Sequence, residues 1–454
     1  VLKHMKILHQ HRMKYLIFSL LCLTLLCILA ACGSTPATNP VVTQTQTVQG
    51  TNPSQGQRNP NQLTSTPPAQ TTTVTMPLTQ TSCPPTGTAR ALVTAPLALG
   101  HHQNLVYIVN ETQHNNPTFG ILKRYDLVTG NTTEIVKLPN TSIDAAQVSA
   151  DGQWLLFVND NRAQKELQAV RMDGQGLQTL YCSSFQSHPQ WSTNQKLIAF
   201  EEEVSGNLNF YLLHTSNGTL EKVFTQPSAS PRVYLLSTWL DNTHLYLVRT
   251  DTDVNPDVLS ILDITKGDNQ TSNNLIQVVP SGLGSFDSSY NGSQVFVNHN
   301  SCAYGCSGPS DITVQPALGG AQHTIFNSQQ YAVTEVRAVT AHTLLFAINN
   351  EPFQNSQVDQ SHNGLWTMNT DGTDLTRLTT FDPNSAVQLN ISGQFPWSNV
   401  SRDGTMYAAT QISTLKSQQQ AYTIIVGSLS GGTPNTIASA ANGTALDIAG
   451  WTTM

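Results

Sequence analysis

Charged side chains are scarce in this sequence. They make up 11% of its 454 residues, against about 25% in an average soluble protein. Lys and Arg number 21 against 28 Asp and Glu, which gives a net charge of -7, and the basic residues form no cluster. Because binding of nucleic acid depends on clustered Lys and Arg that neutralise phosphates, this composition argues against a nucleic-acid partner.

The sequence also lacks long stretches of helical periodicity and the Gly-x-Ser-x-Gly motif of serine hydrolases. The first absence argues against a mainly helical fold. The second argues against a peptidase of the α/β-hydrolase type. No other catalytic constellation stands out, so we predict no catalytic residues and regard enzymatic activity as the less favoured interpretation.

The N-terminal 32 residues have the pattern of a signal peptide. Basic residues come first, an apolar run follows over residues 15–29, and small residues lead to Cys32. The tetrapeptide ending at Cys32 resembles the bacterial lipobox. That resemblance implies cleavage before Cys32, lipidation of its sulfur, and attachment to the outer side of the cytoplasmic membrane. The alternative is an ordinary secretory signal that ends in Cys.

A polar segment, residues 33–90, follows the signal peptide. It is rich in Thr, Gln, Asn, Pro and Ser. Between residues 33 and 89, Arg58 is the only charged residue. Such a composition buries too little apolar surface to offset the entropy of ordering. We therefore predict a disordered tether over residues 33–90 and a folded head over residues 91–454, which we expect to be monomeric.

Short apolar runs separated by turns recur through the head, which is the pattern of an all-β protein. The most regular runs are the second strands of each unit, at 105–109, 154–158, 197–200, 245–248, 295–297, 344–348 and 406–410. The unit at 105–109 has no clear first strand, whereas the segment around Trp451 has no partner. We predict a seven-bladed β-propeller of four-stranded antiparallel blades, closed by the C-terminal strand. Six or eight blades are the alternatives.

Several repeats resemble those of a known family. The segments 148–152, 190–192 and 365–379 are similar to the TolB-like propeller repeat. The resemblance covers roughly residues 97–454 and implies the fold, not an activity. TolB itself has six blades behind a small α/β domain, so its particular role is not carried over.

Long connections between second and third strands mark one face of the predicted propeller as the binding face. One of them carries Cys302 and Cys306, for which we predict a local disulfide. The rival interpretation is a metal or redox site that uses His299. Cys83 and Cys182 are the remaining cysteines of the mature chain. Their pairing would fasten the tether to the second blade, but proximity in space cannot be read from a sequence.

Another long connection carries four oxygen-bearing side chains in alternation. Asp251, Asp253, Asn255 and Asp257 have the ligand chemistry that calcium prefers. Pro256 stands near the position where calcium loops need Gly, and no Glu follows. The alternative is therefore a plain turn, and no cofactor is predicted apart from this calcium or another divalent cation.

Acidic residues recur near the starts of three first strands. Alignment on Trp191 places Asp144, Glu335 and Asp447 at one equivalent position, beside the face with the long loops. With His188, these residues are the candidate binding site at the mouth of the channel. The alternative is that they are solvated residues at strand ends, with Arg337 neutralising Glu335.

The resulting hypothesis is a lipid-anchored, extracytoplasmic propeller that binds or scaffolds a protein, a peptide or a cell-envelope ligand. The second hypothesis is a metal-assisted enzyme acting on glycans, with a site over the central channel near Asp144, His188, Glu335 and Asp447.

Overall fold

A computed structural model describes residues 79–454, apart from 114–115, 184–186, 229–231, 252–256, 301–308, 351–358, 381–384, 390–397, 415–419 and 442. Antiparallel strands make up most of this part of the chain. A 3₁₀ helix lies at Ile264–Asn269. None of its helices has the length and apolarity that crossing a membrane would require.

The strands are numbered in chain order. The first eleven are β1 (Gln103–Gln113), β2 (Asn116–Asp126), β3 (Thr132–Pro139), β4 (Ser142–Val148), β5 (Trp154–Asp160), β6 (Lys165–Arg171), β7 (Gln178–Ser183), β8 (Ser187–Trp191), β9 (Leu197–Val204), β10 (Asn207–His214) and β11 (Leu220–Pro227). The next seven are β12 (Arg232–Trp239), β13 (His244–Asp251), β14 (Asp257–Asp263), β15 (Ile276–Ser288), β16 (Gln294–Asn300), β17 (Ser310–Pro316) and β18 (His323–Ser328). The last nine are β19 (Val333–Ala338), β20 (Thr343–Ile348), β21 (Gly364–Asn369), β22 (Thr376–Thr380), β23 (Ser385–Gln388), β24 (Met406–Thr414), β25 (Gln420–Ser428), β26 (Asn435–Ala440) and β27 (Thr444–Thr453).

Five sheets have four strands each, and one sheet has seven. The four-stranded sheets are β27-β1-β2-β3, β4 to β7, β8 to β11, β19 to β22 and β23 to β26. The seven-stranded sheet runs from β12 to β18 because β15 serves two units. The first half of β15 pairs with β14, as in Val279 opposite Leu259, and its second half pairs with β16, as in Asp287 opposite Phe296. Counting β15 twice, the described residues form seven four-stranded units, two of which share this strand.

The C-terminal strand pairs with the first strand of the head. In this ladder Trp451 of β27 lies opposite Leu105 of β1, and Asp447 lies opposite Ile108. The predicted pairing of the segment around Trp451 with the strand that contains Leu105 is therefore present. It removes an edge that would otherwise be free to pair with another chain.

Hydrophobic clusters lie between consecutive units. One joins β4–β7 to β8–β11 around Trp191 and Phe200, and another joins β8–β11 to the next unit around Trp239. A further cluster joins the last unit to the first, with Ala408 and Ile424 packed among residues of β1 and β27 such as Trp451. Full burial of one large side chain contributes about 1.5–3 kcal/mol, so these clusters hold the units together.

Two kinds of turn recur. In the first, Ser149 Oγ donates to Asp151 Oδ1 at 2.6 Å and accepts from the Trp154 amide at 2.9 Å. In the second, a glycine with positive φ approaches the preceding unit. Gly372 has φ +88°, and a Cβ there would lie 2.1 Å from the Ile325 carbonyl oxygen. These residues explain the Asp-Gly dipeptides that punctuate the repeat.

The N-terminal part of the described chain lies along the second and third sheets. Cys83 and Cys182 form a disulfide with a Cα–Cα distance of 5.8 Å, which resolves the pairing that the sequence left open. The Gln80 amide donates to the Leu177 carbonyl at 2.8 Å. Within the described residues, Gln80 already contacts the head, and it lies inside the segment 33–90 that the sequence assigns to the tether.

Candidate functional site

Side chains on or just after second strands form hydrogen bonds with the backbone of the first strand of the next unit. Asn110 donates from Nδ2 to the Ile143 carbonyl at 2.9 Å and accepts from the Ile143 amide at 2.8 Å. Asn349 bridges in the same way to Val387, at 3.0 and 3.3 Å. A first strand lies at the edge of its sheet and pairs with a neighbouring strand on one side only. The buried amides and carbonyls on its other side therefore need such partners.

Charged residues take part in the same bridging between β15 and β19. The Ala338 amide donates to Asp287 Oδ2 at 3.0 Å, and Arg337 Nη1 donates to the Phe286 carbonyl at 3.2 Å. Burial raises the pKa of Asp287 to about 6, although the charge of Arg337 works in the opposite direction. Asp287 and Arg337 therefore belong to one contact between two units.

Glu335 links β19 to the segment that follows β23. Its Oε2 accepts a hydrogen bond from the Leu389 amide at 2.6 Å. Burial raises the pKa of Glu335 to about 7, against the opposing effects of Arg337 and the Leu389 amide. Repulsion from the charge of Asp447 raises this pKa further, although β27 and β19 belong to different sheets.

Asp447 on β27 combines exposure with a raised pKa. The residue is exposed to solvent, and its Oδ1 accepts a hydrogen bond from the Ile448 amide at 2.8 Å. Desolvation by the surrounding protein nevertheless raises the pKa of Asp447 to about 6. Both properties are expected of a carboxyl group that faces a narrow, water-filled opening.

Asp287, Glu335, Arg337 and Asp447 are called here the first-strand cluster. Three carboxyl groups and one guanidinium make it net negative when all are ionised, so it is suited to bind a positively charged group. Clusters of perturbed carboxyl pKa values are also typical of functional sites. Of the predicted site residues, Glu335 and Asp447 are the two that act on each other through their charges.

The other predicted site residues are placed differently. Asp144 accepts a hydrogen bond from Lys165 Nζ at 2.5 Å within its own sheet, so its charge is balanced there. The side chains of His188, Asp251 and Asp257 lie outside the described part of the structure. The same holds for all of Cys32, Asp253, Asn255, Cys302 and Cys306. Within the part that is described, no three His, Cys, Asp or Glu side chains are grouped to hold a metal ion.

Two members of the cluster were missed as site residues in the sequence. Asp287 and Arg337 occupy equivalent ladder positions, opposite Phe296 and Leu345, one step along the strand from the end of each first strand. The alignment on Trp191 compared only the acidic position nearer the start of the strand. Extending the comparison along each first strand would have found both residues.

Comparisons with known proteins concern the fold alone. No family model matches the sequence, and no curated protein matches it. A prolyl endopeptidase structure has a TM-score of 0.51 and 12% identity, over 80% of this chain and 50% of that one. The β-propeller domain of the trilobed protease from Pyrococcus furiosus has a TM-score of 0.48 and 10% identity, over 77% of this chain and 98% of that one.

TolB from Acinetobacter baumannii is also similar, with a TM-score of 0.40 and 11% identity. The match covers 60% of this chain and 62% of TolB. The chain therefore spans less than two thirds of this TolB and half of the prolyl endopeptidase. With its repeated four-stranded antiparallel sheets and its similarity to the prolyl endopeptidase structure, the chain has the predicted all-β propeller fold.

Proposed function

We propose that this chain is a binding or scaffolding module of the bacterial cell envelope. Its units form a seven-bladed ring, and a protein, a peptide or a cell-envelope ligand binds where the first strands meet. The first-strand cluster carries this proposal, because Asp447 is a solvent-facing carboxyl group with a raised pKa and its charge acts on the likewise perturbed Glu335.

Three observations support a closed ring of seven blades over a ring of six or eight. The repeat occurs seven times if β15 is counted in both of its units. The pairing of β27 with β1 gives the first unit its fourth strand. The cluster around Trp451 and Ile424 joins the last unit to the first in the way that the other clusters join consecutive units.

The binding surface is the face at which the first strands begin. Glu335 is the third residue of β19, and Asp447 is the fourth residue of β27. In an antiparallel unit, this end of the first strand lies beside the connection between the second and third strands. Those connections are the long ones in several units, so ligand contacts come from the loops together with Glu335 and Asp447.

The sequence supports an anchored, extracytoplasmic location. Residues 29–33 read Leu-Ala-Ala-Cys-Gly after an apolar run, which resembles a lipobox. Lipidation of Cys32 would attach the chain to the outer side of the cytoplasmic membrane. Metabolic labelling with an alkyne fatty acid tests this step, since wild type is expected to be labelled and Cys32→Ala is not.

Crosslinking in intact cells, followed by affinity purification, tests the binding function. We expect one or a few envelope components to copurify with the full chain, and fewer with a variant that carries Glu335→Gln and Asp447→Asn. The control is Glu134→Gln, which changes an exposed carboxylate on the outermost strand of the first sheet. Recovery of no envelope component, or equal recovery with all three proteins, would count against the proposal.

A metal-assisted enzyme acting on glycans is the second candidate. The pKa of Glu335, raised to about 7 mainly by burial, favours it, because a general acid or base works best with a pKa near the working pH. Elemental analysis of the protein purified without a chelator measures bound metal and so separates the two functions. Stoichiometric metal supports the enzyme, and its absence supports a binding module.

A further inference from the structure

The outermost strand of the second sheet, β7, is covered by the chain that precedes β1. Residues 79–93 are called here the strap. The Gln80 amide donates to the Leu177 carbonyl at 2.8 Å, and the Thr179 amide donates to the Gln80 carbonyl at 2.8 Å. Gln80 thereby forms a parallel bridge with Gln178 of β7. The strap thus pairs with β7 at this point as an added strand would.

The edge under the strap has no protection of its own. β7 carries no charged residue and no Pro, whereas the outermost strand β3 carries Glu134 and Lys137. Charged side chains and Pro on an outermost strand hinder its pairing with another chain. The Leu180 and Thr179 carbonyls accept hydrogen bonds from the amide and from Nη1 of Arg90, at 2.9 and 3.4 Å. The strap therefore satisfies backbone groups that an uncovered β7 would offer to another strand.

A disulfide fastens the strap to this strand. Cys83 lies three residues after Gln80 and is bonded to Cys182 of β7. Residues 79–82 are exposed, so little packing holds them in place. The bond keeps these residues at a high effective concentration beside β7. When it is broken, the pairing of Gln80 depends on a few hydrogen bonds.

The surroundings of Cys83 favour cleavage of the disulfide. Gln164 Nε2 donates a hydrogen bond to Cys83 Sγ, and Arg90 Nη2 donates to the Cys83 carbonyl at 3.4 Å. A hydrogen-bond donor and a positive charge stabilise a thiolate, so Cys83 is a good leaving group when another thiolate attacks Cys182. Both cysteines are half-buried, so a small reductant reaches them from solvent.

We propose that β7 is a strand-addition site for an extended, uncharged peptide, and that the strap occupies this site while the disulfide is intact. A dithiol opens the site. Its first thiolate attacks Cys182 Sγ and forms a mixed disulfide, and Cys83 leaves as a thiolate that takes up a proton. Its second thiol then displaces Cys182 as a thiol. The dithiol has become a disulfide, both cysteines are reduced, and the strap is free to leave β7.

The strap itself indicates the chemistry of the ligand. Residues 79–82 read Thr-Gln-Thr-Ser and carry no charge, which suits the uncharged β7. A ligand needs an amide that donates to the Leu177 carbonyl and a carbonyl that accepts from the Thr179 amide, as Gln80 has. Because β7 is the outermost strand of its sheet, this site is separate from the first-strand cluster and does not depend on the proposed function.

Hydrogen exchange at the Thr179 amide tests the opening. The full chain in detergent is measured oxidised and after treatment with dithiothreitol. We expect exchange at Thr179 to become at least tenfold faster on reduction, while the Leu156 amide in the middle of β5 keeps its rate. The variant that carries Cys302→Ser and Cys306→Ser should respond as wild type does. Equal exchange at Thr179 in the two states, or a response that this variant loses, would overturn the gating by Cys83 and Cys182.

Covalent capture tests the ligand class. The receptor is the full chain with Gln80→Pro and Cys83→Ser, whose strap lacks the amide donor at position 80 and cannot bond to Cys182. The probe is a synthetic acetylated peptide of residues 79–88, and the matched control is the same peptide with Gln80→Pro. Mass spectrometry in a glutathione redox buffer measures the disulfide between peptide and Cys182. We expect at least tenfold more capture of the probe than of the control.

Equal capture of the two peptides would overturn the strand-addition site. A reduced wild-type chain that forms dimers and excludes the probe would assign the edge to a second copy and overturn the peptide as its ligand. Circular dichroism checks the folding of the receptor, and the exchange measurement on wild type does not depend on that variant. Loss of envelope partners in the Glu335 and Asp447 variant bears on the proposed function alone.

Discussion

Arg402 donates from Nε to the backbone carbonyl of Trp451 at 2.9 Å. Its Nη1 and Nη2 donate to the carbonyls of Ala150 and Ser149, at 2.7 and 2.9 Å. One side chain in the last unit thus contacts the strand β27 of the first sheet and a turn of the second sheet. Burial lowers the pKa of Arg402 to about 10, so it stays charged at neutral pH while bonded to three carbonyls.

Replacing Arg402 by Met is predicted to destabilise the protein by about 2–4 kcal/mol, because three carbonyl groups lose a charged donor. Urea denaturation measures this loss. Lys266→Met is the control, since the Lys266 side chain is 54% exposed. A change in Arg402→Met no larger than that in the control would contradict the role assigned to Arg402.

Stability is predicted to fall as pH rises through the folded-state pKa of Glu335. Burial raises this pKa from 4.5 to about 7, so the folded state holds a proton that the unfolded state releases earlier. The contribution of protonated Glu335 is complete below about pH 4 and is lost as pH rises toward 7. Glu335→Gln should therefore match wild type near pH 4 and exceed it near pH 8 by up to about 3 kcal/mol.

Urea denaturation at pH 4, 6 and 8 measures this difference. The groups facing Glu335 are Arg337 on its own strand, Asp447 on β27 and the Leu389 amide. Asp447 itself faces Tyr422, whose pKa is raised by burial and then by Asp447. An identical pH dependence in wild type and Glu335→Gln would show that this carboxyl group is not desolvated in the folded protein.

Gly372→Ala is predicted to destabilise the protein by more than about 1 kcal/mol. Gly372 has φ +88°, and the added Cβ would lie 2.1 Å from the carbonyl oxygen of Ile325. Gly206→Ala is the matched control, because Gly206 has φ +77° and no atom within 4 Å of the added Cβ. Thermal denaturation of the two variants separates the cost of the clash from the cost of the backbone conformation. Equal losses would contradict the close approach of the two units.

Removal of the Cys83–Cys182 disulfide is predicted to loosen the segment before residue 100. The two cysteines are 99 residues apart in the chain, and a native disulfide of this kind typically contributes about 2–4 kcal/mol. Cys83→Ser should make the segment susceptible to limited proteolysis while the bulk of the head stays protected. Cleavage at the same rate in wild type and variant would contradict this prediction.

Local chain pattern was enough to predict the repeated strands, and the segment around Trp451 was identified because it had no partner. Glu335 and Asp447 were predicted because equivalent positions in a repeat are expected to come together in space. A sequence does not give distances in space. The pairing of Cys83 with Cys182 was therefore left undecided, and Lys165 was not recognised as the partner of Asp144. The sharing of β15 was missed for a related reason, since a strand that continues from one unit into the next leaves no turn to mark the boundary.

Site-specific photocrosslinking in cells tests most directly whether ligands bind where the first strands begin. A photoreactive amino acid at Thr444, at the start of β27, is compared with one at Val128, which is 68% exposed on the turn between β2 and β3. We expect a ligand adduct from position 444 that is lost in Asp447→Asn, and none from position 128. An adduct from position 128 alone, or adducts that do not depend on Asp447, would contradict it.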